Sequence, residues 1–212
     1  MKFEDLLNHY SNQPFIEIRN ASLLLKEPLT KVKVQFSRFV ASEKLIKLRN
    51  GIYLFNNAYR KSIVNSLALS SIILQPSYIS MEKALEAHGL IPENVYAITA
   101  LTTKRANKFY NVFGKYEYRH IQKRLFFGYD VVGDTFSYYM ATPEKALLDY
   151  LYVNKIFLTN EVLVELRLQN LNVLDFVKLK EFASIFNKKN IYVAVERIEA
   201  FANNPSNLEN IL

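Results

Sequence analysis

The chain has 212 residues, half of them hydrophobic, with no cysteine and a formal charge of +7. This composition excludes a disordered chain, a disulfide scaffold and a Cys-based zinc site. The charge is uneven: residues 1–61 hold 11 Lys/Arg against 5 Asp/Glu (+6), and residues 62–212 hold 16 against 15 (+1). A cationic excess confined to one short segment is the footprint of polyanion contact, because each phosphate neutralised releases counterions.

Phe3, Leu6, Leu7 and Tyr10 predict a short amphipathic helix ending near Ser11-Asn12, in a segment unlike a signal peptide. The longest apolar run, around Leu67 to Leu74, is interrupted by serines and is far short of the ~20 residues of a membrane helix. Together with the lack of cysteine, this leads us to expect a cytoplasmic protein. Pro14 to Ile18 reads as extended, and Ile18 to Leu25 as a second helix with Leu23, Leu24 and Leu25 in the core. Pro28 disfavours helical geometry at Glu27, so Lys26-Glu27-Pro28 is a turn.

From Pro28 to Phe55 the chain reads PLTKVKVQFSRFVASEKLIKLRNGIYLF. Leu29, Val32, Phe36, Phe39 and Val40 form one apolar face of a helix. Lys31, Val34, Gln35 and Arg38 lie on the opposite face, with Lys33 and Ser37 on its flank. Asn50-Gly51 between two β-rich runs predicts a type I′ hairpin with Leu48 opposite Tyr53 and Ile46 opposite Phe55. Lys47 and Arg49 then stand together on the face away from the core. A cationic helix followed by a cationic hairpin is the pattern of a winged helix-turn-helix, the helix suiting the major groove and the wing the adjacent backbone. The candidate DNA-binding residues are therefore Thr30, Lys31, Lys33, Gln35, Arg38, Lys47, Arg49 and Asn50. The competing reading is that these cations serve only solubility.

Further on, Lys61 to Ile73 reads as a buried helix stopped by Pro76, and Ser80 as the cap of a helix that Gly89 ends. Strands are expected at Tyr96–Thr102, Lys115–Ile121, Leu125–Tyr129 and Phe136–Ala141, with a turn at Asp130–Asp134. Thr142-Pro143-Glu144 opens a helix with a capping Thr, Pro at the first position and an acid in the first turn. Helices follow near 160–168, 175–186 and 191–203, and the tail NNPSNLENIL is expected to be loosely held. The fold class expected is α+β: a winged helix-turn-helix (1–60), then a mixed α/β domain (61–212) with a small, mostly antiparallel sheet and C-terminal helices.

Catalytic patterns are absent. There is no HExxH, no glycine-rich phosphate loop and no G-x-S-x-G, and His9, His88 and His120 have no metal-ligand spacing. Asp130, Asp134, Glu144 and Asp149 could suggest a metal-dependent nuclease, but no Asp/Glu-x-Lys occurs. Glu144 is better read as a helix N-terminal acid and Asp149 as a solvated helix residue; His88 suits the C-terminal end of its helix. No cofactor, metal or enzymatic activity is expected. A second basic stretch carries Lys104, Arg105, Lys108, Lys115, Arg119, His120, Lys123 and Arg124 among Phe109, Tyr110, Tyr116 and Tyr118. It could stack on nucleic acid, but a soluble sheet edge or a protein interface is the preferred reading.

Four segments in order, RNGIYLF (49–55), YISMEKALEAHGLIPE (78–93), His120-Ile121 in the basic strand and ATPEKALLDYLY (141–152), resemble the AbiEi family of antitoxins and transcriptional regulators of type IV toxin–antitoxin systems. The resemblance covers roughly residues 20–155. It implies an N-terminal winged helix-turn-helix that represses its own operon, as in abortive infection systems. It also implies a C-terminal domain that counteracts a nucleotidyltransferase-like toxin without requiring a stable complex. On that basis Lys115, Arg119, His120, Lys123 and Arg124 are the candidate antitoxin surface. The alternatives are a stand-alone winged-helix module that binds protein, or a regulator with no toxin partner.

Overall fold

A computed structural model describes residues 2–60, 64–133 and 136–203. Its first part is α1 (Phe3–Tyr10), β1 (Ile16–Glu17), α2 (Ile18–Leu24), α3 (Leu29–Ala41), β2 (Leu45–Arg49) and β3 (Ile52–Phe55), with the strands in an antiparallel sheet ordered β1-β3-β2. α1 starts where the Lys2 N–H donates to Asp5 at 2.9 Å, and it buries Phe3, Leu6 and Tyr10. The apolar face of α3 lies as its periodicity predicts: Val32 and Phe36 are buried, and Leu29, Phe39 and Val40 pack around them. The α2 expectation fails for two leucines. Ile18 and Ala21 face the core, while Leu23 and Leu24 are 77% and 51% exposed. Only one face of a two-turn helix can meet the core, and consecutive leucines cannot all share it.

The hairpin differs from expectation in register and in turn. Ile46 pairs with Leu54 and Lys47 with Tyr53, and the register shifts at Leu48 so that Arg49 pairs with Ile52. Of the two turn residues, Gly51 alone has positive φ (+86°), so the turn is not type I′. A bulge adds right-handed twist, which the primed turn would otherwise supply. The bulge also puts Lys47 and Arg49 on opposite faces.

The second part is α4 (Ser66–Ile73), β4 (Ser77–Ile79), α5 (Glu82–Ala87), β5 (Ile98–Thr102), β6 (Asn107–Asn111), β7 (Gly114–His120), β8 (Tyr129–Val132), β9 (Tyr138–Ala141), α6 (Pro143–Val153), α7 (Asn160–Glu165), α8 (Phe176–Phe186) and α9 (Lys189–Asn203). Its six strands run β6-β7-β5-β4-β9-β8. Three pairings are antiparallel, and two, β5–β7 and β4–β9, are parallel. The sheet is thus mixed, larger and less uniformly antiparallel than expected.

The helix predicted from Lys61 starts later. Asn65 accepts from the Leu67 N–H at 2.8 Å and caps α4, while residues 61–63 lie outside the described residues. Buried Tyr116 and Tyr118 then donate their hydroxyls to the α4 carbonyls of Ser66 and Ser70, at 3.1 and 2.6 Å. The strand predicted at Leu125–Tyr129 is a 3-10 turn (Lys123–Leu125) followed by Gly128 at positive φ. A Cβ at Gly128 would stand 3.0 Å from Phe182 and 3.1 Å from Lys145, so the chain passes α6 and α8 closely and begins its strand afterwards. β8 consequently occupies much of the predicted 130–134 turn; Gly133 turns the chain at φ +88°, and Asp134 lies outside the described residues. Gly89 does end its helix, with the Leu90 N–H reaching back to Leu85. Thr142 does cap α6. The tail beyond residue 203 lies outside the described residues.

Two apolar cores result, and the hairpin serves both. Leu45, Tyr53 and Phe55 belong to the core of α1–α3, whereas Leu48, Ile52 and Leu54 belong to the larger one. Asn111 donates to the Leu48 carbonyl at 3.3 Å, and the Arg49 Nε–H donates to the Ile73 carbonyl. Among the described residues no helix is long and apolar enough to cross a membrane.

Candidate nucleic-acid interface

The turn before α3 is held by three contacts. The Lys26 N–H donates to Leu23, the Glu27 N–H to Ser22, and the Ser22 hydroxyl to the Glu27 carbonyl at 2.6 Å. Lys26 takes positive φ (+50°), which ends α2, and Pro28 sets extended backbone at the start of α3. α3 therefore leaves the turn at a fixed angle with its polar face outward. On that face Thr30, Lys31, Lys33, Val34 and Arg38 are exposed, and Gln35 is half-buried.

The candidate residues divide by what already holds them. Lys31 is in an i−4 ion pair with Glu27 at 2.8 Å, and its neighbour holds the Glu27 carboxyl below the usual range. Lys33, Arg38 and Lys47 have no side-chain hydrogen bond or ion pair among the described residues. Arg49 is half-buried and spends two of its donors internally, on the carbonyls of Ile73 and Asn50. Asn50 is exposed at the hairpin tip. Arg19, at the start of α2, was not singled out by the sequence, yet it is exposed and lines a cleft with Lys33, Arg49, Asn50 and Gly51. The β1–β3 pairing, with Glu17 opposite Ile52, and the bond from the Ile18 N–H to the Gly51 carbonyl at 2.9 Å bring it there.

The second basic stretch is less free than its composition suggests. Lys108 and Lys115 both pair with Glu117, across β6 and along β7. Arg124 donates to the carbonyls of Ile185 and Phe186 at the C-terminal end of α8, where a cation suits the helix dipole. The His120 Nδ1–H donates to the Lys104 carbonyl at 3.0 Å. Arg119 and Lys123 are exposed without such partners among the described residues.

The carboxylates do not converge. Asp130 is exposed on β8, Glu144 and Asp149 are buried on α6, and among the described residues no group of three His, Asp or Glu could hold a metal ion. Asp149 is not the solvated residue its sequence suggests. It is fully buried, paired with Lys145, and accepts from the Tyr78 and Ser80 hydroxyls at 2.9 and 2.8 Å. Ser80 is thus not a helix cap; α5 begins after Met81, at positive φ.

Glu144 is also more than a first-turn acid. Burial pushes its pKa up, but the Asp175 N–H (3.1 Å), the Thr142 hydroxyl (2.8 Å) and Lys178 (3.0 Å) outweigh burial and hold it below the ordinary range. A depressed folded pKa contributes stability that is present above the unfolded value of ~4.3 and is lost as pH falls through the folded one. Glu144→Gln should lose roughly 1.5–3 kcal/mol at neutral pH, the worth of a charged hydrogen bond. Urea unfolding at pH 7 and below pH 4 checks this: the gap to wild type should narrow on acidification. A constant gap contradicts the assignment.

No protein-family model matches the chain, and no curated protein matches it.

Proposed function

We propose that the N-terminal unit is a winged helix-turn-helix that binds duplex DNA, with α3 in the major groove and the β2–β3 hairpin against the backbone. The observation that carries this reading is the exposed polar face of α3, opposite buried Val32 and Phe36. The order helix, strand, helix, turn, helix, two strands agrees with it, and so does the charge of +6 on residues 1–61. In this reading Arg38, Lys33 and Thr30 approach the bases or their flanking phosphates, Lys47 contacts phosphate, and Arg49 fixes the hairpin on the second unit. The AbiEi resemblance extends the proposal to a repressor of its own operon whose second unit counteracts a nucleotidyltransferase-like toxin, through Arg119 and Lys123 first. The protein then acts by binding, without turnover.

The full chain should bind the DNA upstream of its own gene more tightly than random duplex in fluorescence anisotropy. Arg38→Ala should cost ~1–3 kcal/mol on the specific site and relax preference. Lys47→Ala should weaken both duplexes alike. Wild-type behaviour of both variants would remove α3 and the hairpin from the interface.

A second reading has one observation in its favour. Leu23, Leu24 and Val34 expose apolar surface on α2 and α3, at 77%, 51% and 52%, which suits a protein-binding module. Leu23→Ser with Leu24→Ser should leave DNA affinity intact under the first reading.

A further inference from the structure

We propose that the cleft between α2, α3 and the Asn50–Gly51 turn is a phosphate-binding site, with Arg19 and Lys33 as its ligands and Arg49 as a fixed third cation. This rests on the DNA reading, and adds to it a residue of α2 and a defined pocket for one backbone phosphate.

The cleft has a volume of about 400 Å³, and its charged lining is Glu17, Arg19, Lys33 and Arg49 around the Asn50–Gly51 turn. That is within the ~300–1,000 Å³ of small-ligand pockets and is ample for a phosphate with part of its sugar or hydration shell. Three cations against one acid leave the lining at 3 − 1 = +2. The Glu17 carboxylate is itself engaged, accepting from Asn20 at 3.3 Å. Arg19 on α2 and Lys33 on α3 are exposed and have no side-chain partner among the described residues. Ile18, Leu29 and Ile52 make part of the wall apolar, which strengthens a charge–charge attraction.

The walls are preset. The Ile18 N–H bonds the Gly51 carbonyl at 2.9 Å, which fixes the start of α2 against the hairpin turn. Arg49, which also lines the cleft, is immobilised by its bonds to Ile73 and Asn50, so its charge is fixed beside the cleft without the ordering cost of a free side chain. A guanidinium from α2 and an ammonium from α3 suit the spread oxygens of a phosphate. The cleft adjoins the cationic face of α3, where the backbone would flank a groove-bound helix. A phosphate contact of this kind positions the protein and carries no sequence information.

The test uses the full chain and its Arg19→Ala, Lys33→Ala, Glu17→Gln and Arg38→Ala variants, with folding checked by circular dichroism. One arm measures affinity for upstream and random duplexes against salt; the other titrates inorganic phosphate by calorimetry at low salt. Arg19→Ala should flatten the salt slope by about 0.9 for both duplexes, about an eightfold loss at 0.1 M salt relative to 1 M. Glu17→Gln should strengthen both. If Arg19→Ala and Lys33→Ala keep the wild-type slope while Arg38→Ala weakens binding, the DNA reading stands and its phosphate is not held in this cleft. Phosphate binding that Arg19→Ala abolishes, with the DNA slope unchanged, supports the phosphate site and makes a free anion its source. If wild type binds no duplex, the DNA reading falls and the calorimetric arm alone decides the cleft. No effect in either arm overturns the proposal.

Discussion

Lys145→Met is expected to destabilise the protein by about 3–5 kcal/mol, the cost of leaving one member of a buried ion pair without its partner. Lys145 and Asp149 are both fully buried, one turn apart on α6. The Lys145 ammonium also donates to the Tyr78 hydroxyl at 2.8 Å, and its Nζ lies 5.1, 5.1 and 5.2 Å from the ring centroids of Tyr78, Phe127 and Phe186. Burial pushes the lysine pKa down and the aspartate pKa up, and each opposes that shift in the other. Tyr78 and Ser80 stand on or beside β4, so the cluster fastens the sheet to α6. Adding Asp149→Leu to Lys145→Met should recover part of the loss by removing the unpaired charge. Recovery stops short of wild type because the Tyr78 and Ser80 hydroxyls lose their acceptor, at ~1–3 kcal/mol for each buried group left unsatisfied. Urea unfolding of both variants decides this: a double variant less stable than the single one would contradict the ion-pair account.

The second large effect concerns separability. Removing residues 1–60 should leave the remainder unable to fold cooperatively, because Leu48, Ile52 and Leu54 go with them and all three belong to the larger core. Losing a buried Leu or Ile to Ala typically costs ~2–5 kcal/mol. Three together approach or exceed the ~5–15 kcal/mol that holds a typical domain. The deletion also removes the carbonyl that Asn111 bonds and the guanidinium on Ile73. Chemical denaturation of Leu48→Ala, Ile52→Ala and Leu54→Ala should show losses of this size, and the deletion should show no cooperative transition. A well-folded deletion would mean that the hairpin merely rests on the second unit. A truncation meant to isolate the second unit should therefore retain the β2–β3 hairpin.

Local chemistry explains what could be read in advance. The 3.6-residue stripe of α3, the glycine after α5 and the Thr-Pro-Glu start of α6 carry their signals within a few residues, and each element begins or ends where they place it. The bulge at Leu48 could not be read, since it depends on Leu48 and Ile52 facing a core built from later residues. Asp149 looked solvated because an acid on a helix usually is. Its burial depends on Tyr78 and Ser80, some 70 residues away. Short strands such as β4 and β6, with three and five residues, are set by their neighbours in the sheet more than by their own composition. On the interface, sequence indicated the cationic face of α3 but not Arg19, which joins Lys33 through the β1–β3 pairing and the α2-to-hairpin contact. Nor did it show that Arg49 and Arg124 are spent on backbone carbonyls.

The central claim, that α3 and the hairpin hold duplex DNA, is tested most directly by the salt dependence of binding for wild type and a Lys33→Gln, Arg38→Gln, Lys47→Gln triple variant. Wild type should bind its upstream duplex with a log–log slope of about −3 to −5, at about −0.9 for each phosphate neutralised. The triple variant should lose roughly 2–3 units of that slope together with its preference for the upstream site. Equal slopes and equal preference in the two proteins would contradict the account.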